Sequence, residues 1–105
     1  ALREDNLLER AETLRHHLLE GLRQRIADPG LIADIRGRGL MIGIQPTTPT
    51  DTVVKRGLER RLLLNIAGGD TIRVLPPLIM SDEQAGELGT GIADVLNEIA
   101  EQEPR

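Results

Sequence analysis

Over the first part of the chain, Leu7, Ala11, Leu14, Leu18, Leu22 and Ile26 recur at steps of three and four residues, with Leu8 and Leu19 widening the apolar stripe. That period predicts a long amphipathic helix. Arg23 and Arg25 stand near its end, where cations suit the helix dipole, and Asp28-Pro-Gly30 closes it in a tight turn. Each leucine withdrawn from water is worth roughly 1.5–3 kcal/mol, so this helix needs a large apolar partner.

The period then changes. Leu31 to Arg36 and Leu40 to Gln45 read as two strands joined by Arg36-Gly-Arg-Gly39. The second run is apolar almost throughout, as a strand buried on both faces would be. Pro46-Thr-Thr-Pro-Thr50 is a polar loop, after which Thr50 or Asp51 caps a short helix to about Arg61, with Val54, Leu58 and Leu62 inward. Leu62 to Ala67 reads as another apolar strand, and Gly68-Gly-Asp70 turns it into a hairpin with Thr71 to Leu75. On that strand Ile72 and Val74 share one face, and Thr71, Arg73 and Leu75 share the other. Pro76 and Pro77 have no N–H for a ladder, so pairing ends there.

Ser81-Asp-Glu-Gln84 has the spacing of a capping box, with two acids in the first turn of a closing helix. That helix carries Ala85, Leu88, Ile92, Val95, Leu96 and Ile99 on one side. Gly86, Gly89 and Gly91 interrupt it, each at a cost of about 1 kcal/mol relative to alanine. Two readings of the glycines stand: close packing against the sheet or a neighbour, or a weak helix. Glu101-Gln-Glu-Pro-Arg105 reads as a disordered tail. The element order is α-β-β-α-β-β-α, and the fold class is α+β: a small, largely antiparallel sheet covered by helices, with one face left for a partner.

Composition narrows what such a fold does. The 105 residues make one domain with an ordinary apolar share, but they contain no Phe, Tyr or Trp. No aromatic platform exists for stacking bases, and a net charge of −4 disfavours binding to a phosphate backbone, so nucleic acid is not an expected partner. With no cysteine there is no disulfide framework, thiolate nucleophile or Cys-type zinc site. No apolar run approaches a membrane span and no signal peptide opens the chain, so the expected location is cytoplasmic. The chain enters helical periodicity at Ala1 without a Met, as a fragment of something longer would.

Candidate chemistry is sparse. His16 and His17 are adjacent, whereas a helical metal pair wants i,i+4 spacing, so both read as solvated. Arg36-Gly-Arg-Gly39 has glycines and guanidiniums for an anion, but no helix N-terminus follows and the phosphate-loop lysine is missing. It reads as a hairpin turn with exposed arginines. Arg73 stands apart: it lies on a strand locked by a rigid turn and anchored by a capped helix. A guanidinium so held either pairs with a neighbouring acid of its own chain or forks onto a carboxylate or phosphate from outside.

Three segments together carry a family likeness: Leu31-Ile-Ala-Asp-Ile-Arg-Gly-Arg-Gly-Leu-Met-Ile-Gly-Ile44, Leu62-Leu-Leu-Asn65, and Ile72-Arg-Val-Leu-Pro-Pro-Leu-Ile79 before a Ser-Asp-Glu helix start. In this order and spacing they resemble the C-terminal small domain of class III pyridoxal-phosphate-dependent aminotransferases, of the acetylornithine and succinylornithine type. The likeness spans nearly the whole chain, so residues 1–105 are expected to be that domain alone.

The resemblance implies several things. In the family, the arginine before the Pro-Pro turn binds the α-carboxylate of the amino-acid substrate, a role that falls on Arg73. The family enzymes form homodimers whose small domain closes over a large one, and the large domain holds pyridoxal 5'-phosphate as a Schiff base on a lysine. Lys55 is the chain's only lysine, sits beside Arg56 outside any such motif, and reads as solvated. The expected activity is therefore that of the complete enzyme, amino transfer between N-acetylornithine and 2-oxoglutarate in arginine biosynthesis. The chain itself supplies carboxylate binding and domain closure, holds no cofactor and is inactive alone. Gln45 stands where relatives often carry Glu, and Arg61 where Gly is common. A different class of function also fits the residues: a free-standing module that binds a small carboxylate or amino acid, or that oligomerises through its sheet.

Overall fold

The computed structural model describes residues 4–38, 41–47, 50–59, 64–76 and 79–102. Helix α1 spans Glu4–Arg25, and a 3-10 turn over Pro29–Leu31 leads to strands β1 (Ile32–Arg38) and β2 (Met41–Pro46). Helix α2 (Thr50–Glu59), strands β3 (Asn65–Ala67) and β4 (Thr71–Val74), and helix α3 (Asp82–Gln102) follow. The strands form one antiparallel sheet in the order β1-β2-β4-β3. The order α-β-β-α-β-β-α and the α+β class are as the patterning predicts.

Alternation decides what the sheet buries. Ile42 and Ile44 of β2 and Ile72 and Val74 of β4 join Leu18 and Leu22 of α1, Val53 of α2, and Ile92, Val95, Leu96 and Ile99 of α3 in one core. The opposite face carries Asp34, Arg36, Gln45, Thr71 and Arg73 and, among the described residues, has no helix over it. Thus β2 is buried by helices on one face only. Gly43, between Ile42 and Ile44, is buried because it has no side chain to stand above its neighbours.

Five local expectations are corrected. Arg36 and Arg38 belong to β1 rather than to a turn, because the ladder runs on to Arg38 opposite Met41; Gly39 and Leu40 lie outside the described residues. In α2 the inward residues are Val53 and Gly57, while Val54 is half-buried and Leu58 is 55 % exposed. A glycine on the inward face carries no apolar signal, so periodicity set the helix one residue out of phase. Thr50 is the first helical residue rather than a cap, and its hydroxyl donates to the Gly69 carbonyl (2.7 Å). Leu8 is exposed and does not widen the buried stripe, and Glu101 and Gln102 continue α3 rather than opening a loose tail. Arg61, Leu62 and Leu63 lie outside the described residues.

Helices α1 and α3 cross on small residues. A Cβ on Gly89 would overlap the Leu18 carbonyl, and one on Gly21 would overlap the Gly86 carbonyl. Close packing is therefore what Gly89 of α3 and Gly21 of α1 provide, whereas a Cβ on Gly86 would meet only an ordinary contact, 3.8 Å from the His17 carbonyl oxygen. Asn97 of α3 then closes the end of α1: its Oδ1 accepts from Ala27 N (2.9 Å) and its Nδ2 donates to the Arg25 carbonyl (3.0 Å). Among the described residues no helix is long and apolar enough to cross a membrane.

Candidate functional site

Strand β4 presents Arg73 because residues two apart share a face: Ile72 and Val74 point into the core, so Arg73 points away from it and is exposed. The strand is held at both ends. Gly68 and Gly69 take positive φ (64° and 81°) in the turn that brings β4 back along β3, with Ala67 paired to Thr71. At the other end Pro76 is buried; Pro77 lies outside the described residues. The capping box then forms reciprocally, with Gln84 N donating to Ser81 Oγ and Ser81 N donating to Gln84 Oε1, both at 3.0 Å.

Register places Arg73 opposite Gly43 of β2 and Asn65 of β3, while Gly43 is also the partner of Arg36 on β1. Two guanidiniums thus share one row of the open face with a side-chain-less residue between them. Beside this row lies a shallow depression of about 650 Å³, walled by Arg36, Met41, Gly43, Ala67, Asp70 and Thr71. Arg73 borders it through Gly43 and Thr71 and is not itself part of its wall. A Cβ at position 43 would come within 3.2 Å of Thr71 Cγ2 and crowd that floor.

The two arginines differ in what they hold. Arg36 donates from Nε to Asp34 Oδ2 (2.9 Å) and from a terminal nitrogen to Gln45 Oε1 (3.0 Å). Gln45 Nε2 reaches Asp70 Oδ2 (3.4 Å), and Asp70 Oδ1 accepts from the Thr71 hydroxyl (3.0 Å). Arg73 has no hydrogen-bond or ion-pair partner among the described residues. Of the two readings left open for it, a pair with an acid of its own chain is not the one found there.

Other candidates fall elsewhere. His16 is exposed, while His17 is half-buried and its Nε2 lies 3.5 Å from Asp82 Oδ2, so it is less solvated than its neighbour. Asp82 also pairs with Arg10, which donates in addition to the Met80 carbonyl. The Arg10 hydrogen bond, then the Arg10 and His17 charges, hold Asp82 below the usual carboxylate range against an opposing desolvation. No group of His, Asp or Glu among the described residues is placed to hold a metal ion. Lys55 is exposed on α2, in a polar surface hollow with Asp51, Arg56 and Glu59. The sequence did not disclose the Asp34–Arg36–Gln45–Asp70 relay. Its members share a face only once the β1–β2 register is known.

A family model described as aminotransferase class-III matches residues 1–96. The acetylornithine aminotransferase 1 of Bordetella bronchiseptica is 38 % identical over 89 residues, which is 84 % of this chain and 22 % of the relative. The acetylornithine aminotransferase of Methanothermobacter thermautotrophicus is 37 % identical over 83 residues, 79 % of this chain and 21 % of the relative. Among solved structures, the ornithine aminotransferase of Toxoplasma gondii superposes with a TM-score of 0.80 at 27 % identity, covering 95 % of this chain and 25 % of that one. The chain thus spans between a fifth and a quarter of the length of these proteins.

Proposed function

The chain belongs to the class-III aminotransferase family, and from that premise we propose that it is the C-terminal small domain of an acetylornithine aminotransferase-type enzyme. In this reading the complete enzyme moves an amino group between N-acetylornithine, the substrate that the relatives' names carry, and 2-oxoglutarate. Within it, these residues bind a substrate carboxylate and close over a large domain in a homodimer. The observation that carries this reading is Arg73: exposed, without a partner among the described residues, and fixed on a strand stiffened at both ends. A planar, permanently charged fork so presented matches a carboxylate in two parallel hydrogen bonds.

Pyridoxal phosphate, which the family uses, would supply the electron sink for amino transfer. The residues described here do not fit that group. The only lysine is exposed on α2, flanked by Arg56 and the acids Asp51 and Glu59, and the chain has no Phe, Tyr or Trp ring to lie against a pyridine. The cofactor therefore belongs to the large domain, and this chain's share is binding and orientation. Exposed Met41 and Leu75 share the strand parity of Gly43 and Arg73 and suit a surface that packs on a larger body.

The test is Arg73→Ala in the enzyme joined to its large domain. Loss of a charge-assisted carboxylate contact of about 1.5–3 kcal/mol should raise KM for the carboxylate substrate roughly 10- to 150-fold. An unchanged KM would remove the carboxylate role. The same apolar edge also favours a second reading, in which the chain is a free-standing module that pairs with itself through the sheet. Sedimentation of the chain alone distinguishes them: a dimer dispersed by Leu75→Glu supports self-pairing.

A further inference from the structure

We propose that Gln45 is a positioning residue for Arg73: its neutrality keeps the Arg73 guanidinium open to a carboxylate ligand. The inference rests on the reading of Arg73 as the carboxylate acceptor. Gln45 is half-buried on the central strand β2, opposite Asp34 of β1. Because Gly43 pairs with both Arg36 and Arg73, position 45 is the diagonal neighbour of both arginines. Diagonal neighbours on one sheet face lie about 7–8 Å apart, within reach of long side chains. A group at 45 therefore has a choice of two guanidiniums.

The amide makes that choice. Arg36 only donates and Asp70 only accepts, so Oε1 faces Arg36 (3.0 Å) and Nε2 faces Asp70 (3.4 Å). Arg36 is already neutralised by Asp34 (2.9 Å), and Asp70 already holds Thr71 (3.0 Å). The charged groups facing position 45 are Asp34 and Arg36 from β1, Asp70 from the β3–β4 turn and Arg73 from β4. With a neutral residue in their midst, two acids balance two arginines and nothing draws Arg73 aside.

A glutamate at 45 changes this. Its Oε1 keeps the Arg36 hydrogen bond, but its second oxygen has lost the donor that met Asp70 and places a second carboxylate against it. The remaining favourable partner is Arg73. An exposed ion pair is weak, at the upper end about 1 kcal/mol or roughly fivefold in affinity, but it competes directly with an incoming carboxylate for the same fork.

The experiment follows the Arg73 Nε–Hε resonance by nitrogen-15 NMR in this chain, with L-glutamate as the probe at neutral pH. Saturable shifts of this resonance are expected for the native chain; Arg73→Ala, which lacks the reporter, is followed through the backbone amides of β4 and should show none. Gln45→Glu should weaken binding about three- to fivefold. Its Arg73 resonance should also move between about pH 3 and 6, as residue 45 ionises. Gln45→Met, neutral but unable to form the relay, should bind within about twofold of native. If Gln45→Glu does not fold, the Gln45→Glu/Asp70→Asn pair, free of the acid–acid contact, should show the same movement of the Arg73 resonance.

Native-like binding by Gln45→Glu with a pH-invariant Arg73 resonance overturns the role of residue 45 while leaving the carboxylate reading standing. Equal weakening by Gln45→Met also overturns it, since charge would not be the cause. If the native chain shows no saturable shift, or Arg73→Ala binds as well as native, the carboxylate reading itself fails and this inference goes with it.

Discussion

Arg36 and Arg73 are the same residue type on the same row of one sheet face, yet among the described residues the first has partners and the second has none. The difference lies in what surrounds each: Asp34 and Gln45 for the first, Gly43 and Asn65 for the second. Asp82 shows how a neighbour also sets a titration. Its carboxyl is held below its ordinary value of 3.8 by Arg10 first and His17 after it. A depressed carboxylate contributes stability that is present above the unfolded pKa and lost as pH falls through the folded one. Acid denaturation should therefore include a component below about pH 4 that Asp82→Asn removes, read from thermal midpoints at pH 6 and pH 3. A midpoint difference between pH 6 and pH 3 that is the same in both proteins would contradict it. Arg73 was legible as a candidate because strand parity and the proline turn are local signals. The Gln45–Asp70 contact was not, since 25 residues separate its members.

The elements are held by a few exacting contacts. Where α1 crosses α3, backbone meets backbone at Gly21 and Gly89, so even a methyl group forces the helices apart. Gly89→Ala should destabilise the chain by about 1–3 kcal/mol or more, although alanine is the better helix former. Denaturant unfolding reads this directly, and a stabilised variant would show that the crossing is looser than described. At the start of α3, Ser81→Ala removes the acceptor for Gln84 N and should cost about 1 kcal/mol. The capping box was readable because it is a spacing rule within four residues. The phase of α2 was not: Gly57 faces inward with no apolar side chain to announce it, and Leu58 points outward.

At the scale of the whole molecule, the three helices among the described residues lie on one side of the sheet and the other side is open. If the large domain holds the cofactor, this chain alone should show no transaminase turnover and no visible absorbance gained from pyridoxal phosphate. Turnover measured with N-acetylornithine and 2-oxoglutarate would overturn that division of labour. Replacement of a core side chain shared by helices and sheet, such as Ile44→Ala, should cost about 2–5 kcal/mol and loosen both layers together.

The sequence by itself determined the element order, the faces of β4, the capped start of α3 and the family, because each is written in spacings of a few residues or in short motifs. Tertiary structure alone decided which arginine is engaged, which face of α2 turns inward, why α3 carries Gly89, and that Asn97 closes the end of α1. Those outcomes depend on residues far apart in the chain meeting in one register, and no local period encodes a meeting.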